Sequence, residues 1–255
     1  TTRFRLDAAS TVISFGNSGS DANDTHIKLL RYYHEAIGKP ERRKIISRER
    51  SYHGVTVAAA SLTGLPVTQN HFDLPVDALG ILRTDHPHYY RGKQGEETED
   101  EFVDRIVGNL ETMIVAEGPE TIAAFIAEPI TGASGVIVPP AGYYQKVQVV
   151  LNRYDIMFWA DEVITGFGRT GSDFGCNTMG IESPDMMTFA KQLSSAYMPI
   201  SASAIRRDMY DAMIDQTANA GAFGHGYTYS GHPVACAVAL KVLEIYQRDK
   251  IFEKA

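Results

Sequence analysis

The chain has 255 residues, with 24 Lys and Arg against 31 Asp and Glu, a formal charge of −7 and a pI of about 5.6. No stretch gathers the cations that phosphate neutralisation requires, and no apolar run approaches the roughly 18 residues of a membrane span, so neither a nucleic-acid nor a membrane partner is expected. Two cysteines, Cys176 and Cys236, give neither a disulfide framework nor paired zinc spacing, so the expected compartment is a reducing cytoplasm.

In chain order, short apolar runs rich in β-branched residues alternate with longer segments of helical period. Strands are predicted at Thr11 to Phe15, Lys44 to Ser47, Ala123 to Ala127, Ile156 to Ala160, Met186 to Phe189 and Ser201 to Ile205. Helices are predicted near Ala22 to Ile37, Glu99 to Glu117, Gly142 to Tyr154, Asp208 to Thr217 and Pro233 to Tyr246. The alternation implies an α/β fold: a mostly parallel, doubly wound sheet with helices on both faces. Arg42-Arg43-Lys44, with Arg48 and Arg50, reads as a solvated rim. The segment Thr63 to Glu101, punctuated by Pro66, Pro75, Pro87, Gly92 and Gly95, reads as a long excursion from the sheet. Thr1 to Arg5 does not form a signal peptide. The chain opens without Met and closes inside a helix, as a piece of something longer would.

Four stations fall where predicted strands end, the edge at which open α/β sheets hold ligands. Asn17-Ser18-Gly19-Ser20-Asp21-Ala22-Asn23-Asp24 joins the first strand to a helix, and its small residues suit either an anion at the helix N-terminus or ordinary capping. Tyr52-His53-Gly54 offers an aromatic ring beside a glycine, suited to stacking on a flat heteroaromatic group with Gly54 removing bulk. Phe158-Trp159-Ala160-Asp161-Glu162-Val163 ends an apolar strand in two carboxylates. There Asp161 either meets a protonated ring nitrogen or caps the next turn, while Val163 packs on the ring. Glu128-Pro129 brings a further acid to the same edge. Lys191 follows the strand ending at Phe189, where it is either a solvated edge residue or, partly desolvated, a neutral, nucleophilic amine. Its 30-residue separation from Asp161 leaves room for one crossover. Gly224 to Pro233, crowded with glycines, hydroxyls and aromatics, suits a loop closing on a ligand. No G-x-S-x-G elbow occurs, and His86-Pro87-His88 lacks a third ligand, so no metal is expected.

Together these stations resemble the class III, or ω-amino acid, aminotransferases of pyridoxal-phosphate fold type I, from about Asn17 to the helix beginning near Pro233. The most specific stretch is Asp161-Glu162-Val163-Ile164 followed by Gly166-Phe167-Gly168-Arg169-Thr170-Gly171. The resemblance implies pyridoxal 5'-phosphate as cofactor and the large domain of such an enzyme, over residues 1–255, incomplete at both ends. It makes Lys191 and Asp161 catalytic, Lys191 being the lysine that forms a Schiff base with the cofactor. It places Ser18, Gly19 and Ser20 at the phosphate, and Tyr52, His53, Gly54, Glu128 and Val163 around the cofactor. Thr228 would reach the phosphate of a partner subunit in a homodimer with shared sites. Tyr52, Ala133 and Tyr227 would line the substrate pocket, Tyr227 that of the partner. The implied reaction moves an amino group from a primary amine or ω-amino acid to a keto acid such as pyruvate, as in amine:pyruvate ω-aminotransferases. An aminomutase would use the same residues without a separate keto acid, and an inactive paralogue or fragment would bind without turnover.

Overall fold

The computed structural model describes residues 9–255; the signal-peptide reading of Thr1 to Arg5 lies outside them. The strands are β1 (Thr11–Gly16), β2 (Lys44–Arg48), β3 (Ile81–Thr84), β4 (Ile122–Ala127), β5 (Met157–Asp161), β6 (Met186–Phe189) and β7 (Ser201–Arg206). The helices are α1 (Gly19–Ala36), α2 (Val57–Leu62), α3 (Tyr89–Gly92), α4 (Glu99–Glu117), α5 (Tyr143–Arg153), α6 (Gly175–Met179), α7 (Arg207–Ala220) and α8 (Pro233–Arg248). The strands form one sheet in the order β1-β7-β6-β5-β4-β2-β3. Pairings are parallel except that β7 runs antiparallel to both neighbours, β1 and β6. Six strands therefore end at one edge of the sheet, where β7 begins.

Alternation along the strands feeds two cores, one on each face. Ile46, Phe125, Phe158, Met187 and Phe189 pack with α4 and α5 through Phe102, Ile106, Leu110, Tyr144 and Val147. Ile45, Ile126, Trp159 and Met186 pack with α1 and α7 through Ile27, Leu30, Met209 and Met213. The central strands β4, β5 and β6 are buried on both faces, which explains their nearly continuous apolar runs. Helix α1 starts on a capping box: Ser18 Oγ accepts from the Asp21 N–H, and the Asp21 carboxylate accepts from the N–H groups of Asn17 and Ser18. Among the described residues, no helix is long and apolar enough to cross a membrane.

Two expectations need correction. The stretch from Thr63 to Glu101 is not wholly outside the sheet, because Ile81–Thr84 pairs in parallel with β2 as an edge strand. With one strand neighbour and Arg83 in its middle, that strand lacks the apolar run by which the inner strands are recognised. The basic run is not a uniform solvated rim. Arg48 is fully buried and donates to Tyr144 Oη at 2.9 Å, to the Glu128 carbonyl at 2.7 Å and to Thr131 Oγ1 at 3.3 Å. Arg42 is likewise buried, donating to the carbonyls of Ile122, Tyr154 and Asp155. In both cases the planar guanidinium donates to several oxygens at once.

Candidate active site

At the edge where the parallel strands end lies a cleft of about 290 Å³, close to the lower bound of about 300 Å³ for small-molecule pockets. It is lined by Ser18, Gly19 and Ser20 from the start of α1, and by Tyr52, His53 and Gly54 after β2. Glu128 after β4, Asp161 and Val163 at the end of β5, and Lys191 after β6 complete the predicted set around it. Residues from five distant parts of the sequence thus meet in one cavity because the five strands before them share a direction.

Asp161 is buried, and each of its neighbours is a donor. Oδ2 accepts from His53 Nδ1 at 2.8 Å and Asn23 Nδ2 at 3.1 Å, and Oδ1 accepts from the Val163 N–H at 3.2 Å. The turn-capping role is seen in the Val163 contact. Oδ1 has the spare capacity to meet a cation in the cleft. Glu128 spends its two oxygens on the N–H groups of Tyr52 and Gly132, each at 2.9 Å, and so ties two cleft loops together. Burial, more than the nearby Asp161 charge, raises its pKa, against the lowering effect of His53. Glu162 points to the opposite face of the sheet from Asp161. It accepts from Thr165 Oγ1 at 2.5 Å and from the N–H groups of Gly175 and Cys176 at 2.9 and 2.7 Å, so it braces the loop after β5.

At the start of α1, the Asp21 and Ala22 N–H groups are taken by Ser18 Oγ and the Ser18 carbonyl. That leaves Gly19 and Ser20 as the helix-end donors beside the cleft, in the positive end of the helix dipole. A side chain on Gly19 would meet Val163 Cγ2 at 3.0 Å, so the glycine lets the helix start approach the residue after β5 closely. Gly54 has a reason to be glycine within the protein itself. Its φ is +126°, and a Cβ there would meet Ser20 Oγ at 2.5 Å and Ala59 Cβ at 2.8 Å. The missing side chain admits the start of α1.

Lys191 departs from the expected desolvation: it is exposed at the rim, because it lies past the strand in a 3₁₀ turn. Its amine has no hydrogen-bond acceptor or carboxylate partner among the described residues. Its φ of +36° is a conformation a residue with a Cβ adopts only under constraint, at a cost of about 1–3 kcal/mol. Ala133, Tyr227 and Thr228 are not brought into this cleft. Ala133 is exposed one residue beyond Gly132. Tyr227 donates to the Asp21 carbonyl at 3.2 Å, and His225 pairs with Thr25 at 2.8 Å, so the loop lies across the outside of α1. Tyr227 there lines a second, mainly apolar cleft of about 330 Å³ with Tyr32, Met213 and Phe223. Thr228 is exposed. Among the described residues, no group of three His, Cys, Asp or Glu side chains is placed to hold a metal.

Sequence reasoning missed the wall made by Ser194, Ala196, Met198, Pro199 and Ile200, which joins β6 to the reversed β7. It placed Asn23 at the start of a helix without its link to Asp161, and it missed Thr188. A signal for Thr188 existed, since it is the one polar residue in the buried run Met186-Met187-Thr188-Phe189.

The profile of the family described as aminotransferase class-III matches residues 5–255. The chain belongs to the class-III aminotransferases. Among relatives of this class-III chain, gamma aminobutyrate transaminase 3, chloroplastic, of Solanum lycopersicum is 55% identical over 94% of this chain and 46% of its own length. The probable gamma-aminobutyrate transaminase 3, mitochondrial, of Oryza sativa subsp. indica is 51% identical over 99% of this chain and 51% of its own. Among solved structures, the omega transaminase from Pseudomonas jessenii in complex with PMP superimposes with a TM-score of 0.93 at 52% identity, covering 97% of this chain and 54% of that one. The class-III chain thus has the fold of type I transaminases and spans about half the length of the relatives it matches. The names chloroplastic and mitochondrial overturn the expectation of a cytoplasmic protein. Two free cysteines argue only for a reducing compartment and do not distinguish one from another.

Proposed function

We propose that this chain is the cofactor-binding large domain of a pyridoxal-phosphate-dependent transaminase. It would move an amino group from a primary amine or ω-amino acid to a keto acid such as pyruvate. The observation that carries the reading is the convergence of the Asp161 carboxylate, the strained and unpartnered Lys191 and the donor-bearing start of α1 on one cleft. Those groups fit the cofactor's chemistry: an acceptor-only carboxylate for a protonated ring nitrogen, N–H donors for a phosphate, an amine for an aldehyde. When bound, pyridoxal phosphate supplies an electron sink for the bond broken at the substrate carbon.

The protein's part is to hold and to move protons. Asp161 Oδ1 would keep a ring proton in place, while Oδ2 stays pinned by His53 and Asn23. Gly19, Ser20 and the Ser18 hydroxyl would hold the phosphate, and Val163 would bound the ring on one side. Lys191 Nζ would take a proton from the substrate carbon and return it elsewhere, acting first as base and then as acid. Its exposed position and freedom from ion pairing suit that exchange. Glu128 and Tyr52 shape the substrate side. Thr228 and Tyr227, which project away from this cleft, would serve the site of a second copy in a homodimer. Support for the donor class comes from the relatives named gamma-aminobutyrate transaminases at 50–55% identity.

The test is formation of alanine from pyruvate by the full-length holoenzyme, with 4-aminobutyrate or another primary amine as donor. Alanine formed only when both substrates are present, and lost in Lys191→Ala by at least about 10³-fold, is the expected result. Amine rearrangement without any keto acid would overturn it in favour of an aminomutase.

A further inference from the structure

Behind Asp161 lies a buried hydrogen-bonded group centred on the Thr188 hydroxyl. Thr188 on β6 stands in register with Asp161 on β5, on the α1 face of the sheet. Asn23 Nδ2 donates to the His53 carbonyl at 2.7 Å and to Asp161 Oδ2 at 3.1 Å. Both partners are acceptors with no hydrogen to give, so they fix which end of the Asn23 amide is nitrogen. Its Oδ1 must then face the other way, where the Thr188 hydroxyl donates to it at 2.7 Å. A hydroxyl has one hydrogen, and this one is spent. Trp159 Nε1 at 2.8 Å and His26 Nδ1 at 3.0 Å must therefore both donate to Thr188 Oγ1. The indole can only donate. Burial lowers the His26 pKa to about 3, so its ring is neutral and carries its one proton on Nδ1. Thr188 Oγ1 thus has its hydrogen and both lone pairs occupied, and Thr188 is itself fully buried.

We propose that Thr188 is a positioning residue for the reaction: its hydroxyl sets the Asn23 amide, and the amide sets how the Asp161 carboxylate presents Oδ1 to the cleft. This rests on the reading of Asp161 as the partner of the cofactor's ring nitrogen. Without the hydroxyl, Asn23 Oδ1 loses its donor, and the amide is held by the two contacts of Nδ2 alone. An amide drawn towards another donor would shift Nδ2, and the Asp161 carboxylate would shift with it. Trp159 and His26 act one step further back, by leaving the Thr188 hydrogen no acceptor but Asn23.

The test compares Thr188→Val, which keeps shape and loses the hydroxyl, with Thr188→Ser, which keeps the hydroxyl. Both are made in the full-length protein loaded with pyridoxal phosphate. The readouts are the absorbance and induced circular dichroism of the bound cofactor, together with kcat per bound cofactor and KM for the amine. For Thr188→Val we expect an altered cofactor band, kcat per bound cofactor lowered about ten- to a hundredfold, and KM changed by less than about threefold. Thr188→Ser should keep the wild-type band and a kcat within about threefold of it. If Thr188→Val does not fold, Asn23→Ala cuts the same link and should give the same spectral change. A Thr188→Val or Asn23→Ala protein with wild-type band, dichroism and kcat per bound cofactor overturns the proposal even if it melts earlier, since a purely structural role predicts that. Thr188→Ser behaving like Thr188→Val overturns it too. If instead Asp161→Asn leaves the cofactor spectrum unchanged, the reading of Asp161 fails, and the role of Thr188 falls with it.

Discussion

Asp161 and Glu162 are adjacent acids with different work, and the alternation of a strand separates them. Asp161 turns to the α1 face and the cleft, whereas Glu162 turns to the other face and accepts from Thr165, Gly175 and Cys176. Burial raises the Glu162 pKa, partly offset by those donors. Removing the carboxylate would leave three buried donors unsatisfied, so Glu162→Ala should lower stability by about 3–5 kcal/mol in urea unfolding without changing the urea slope. A loss under about 1 kcal/mol would show that the loop is held by other means. At this scale the sequence was informative where a polar residue interrupts an apolar strand, as at Asp161, and where a lysine follows one, as at Lys191. It was uninformative where the meaning of a residue lies in a distant neighbour. Gly54 is adjacent in sequence to an aromatic station, yet its close contact is with Ser20. Asn23 reads as one more polar position in a helix until Asp161 and Thr188 are found on either side of it.

Among elements, the inner strands and the long helices were legible because burial on both faces, or on one stripe, writes itself into composition. The predicted strand Met186 to Phe189 and helix Glu99 to Glu117 match the observed bounds, and the other inner strands agree to within a residue or two. Edge strand β3 and the short helices α2, α3 and α6 left no such signature, since four to six residues are too few to set a period. The reversal of β7 was also hidden: Ser201 to Ile205 reads as a strand, but nothing local states its direction. That reversal has a functional consequence. It brings the N-terminal end of β7, with Pro199 and Ile200 before it, to the ligand edge, and lets Ser201 Oγ donate to Asp21 at 3.0 Å beside the start of α1.

For the molecule as a whole, the sheet is a device for bringing six segments to one edge, and its buried polar groups tie folding to pH. His26 is held neutral with a pKa of about 3, against 6.5 when exposed, because burial penalises its charge. The unfolded chain therefore binds the proton first. This part of the stability is complete above pH 6.5 and is lost as pH falls from 6.5 towards 3. The raised carboxyls Glu128 and Glu162 work in the opposite sense. Comparison with a His26→Asn variant isolates the histidine. Between pH 6 and 4 the wild type should lose stability more steeply than the variant, by up to about 1.4 kcal/mol per pH unit in urea unfolding, and equal slopes would contradict the assignment. The central claim is that these parallel strands carry Lys191 to a pyridoxal-phosphate site. It is tested most directly by adding the cofactor, reducing with borohydride and locating the modified residue by peptide mass spectrometry. Modification at Lys191 is the expected result, and modification at another lysine, or at none, would overturn the assignment.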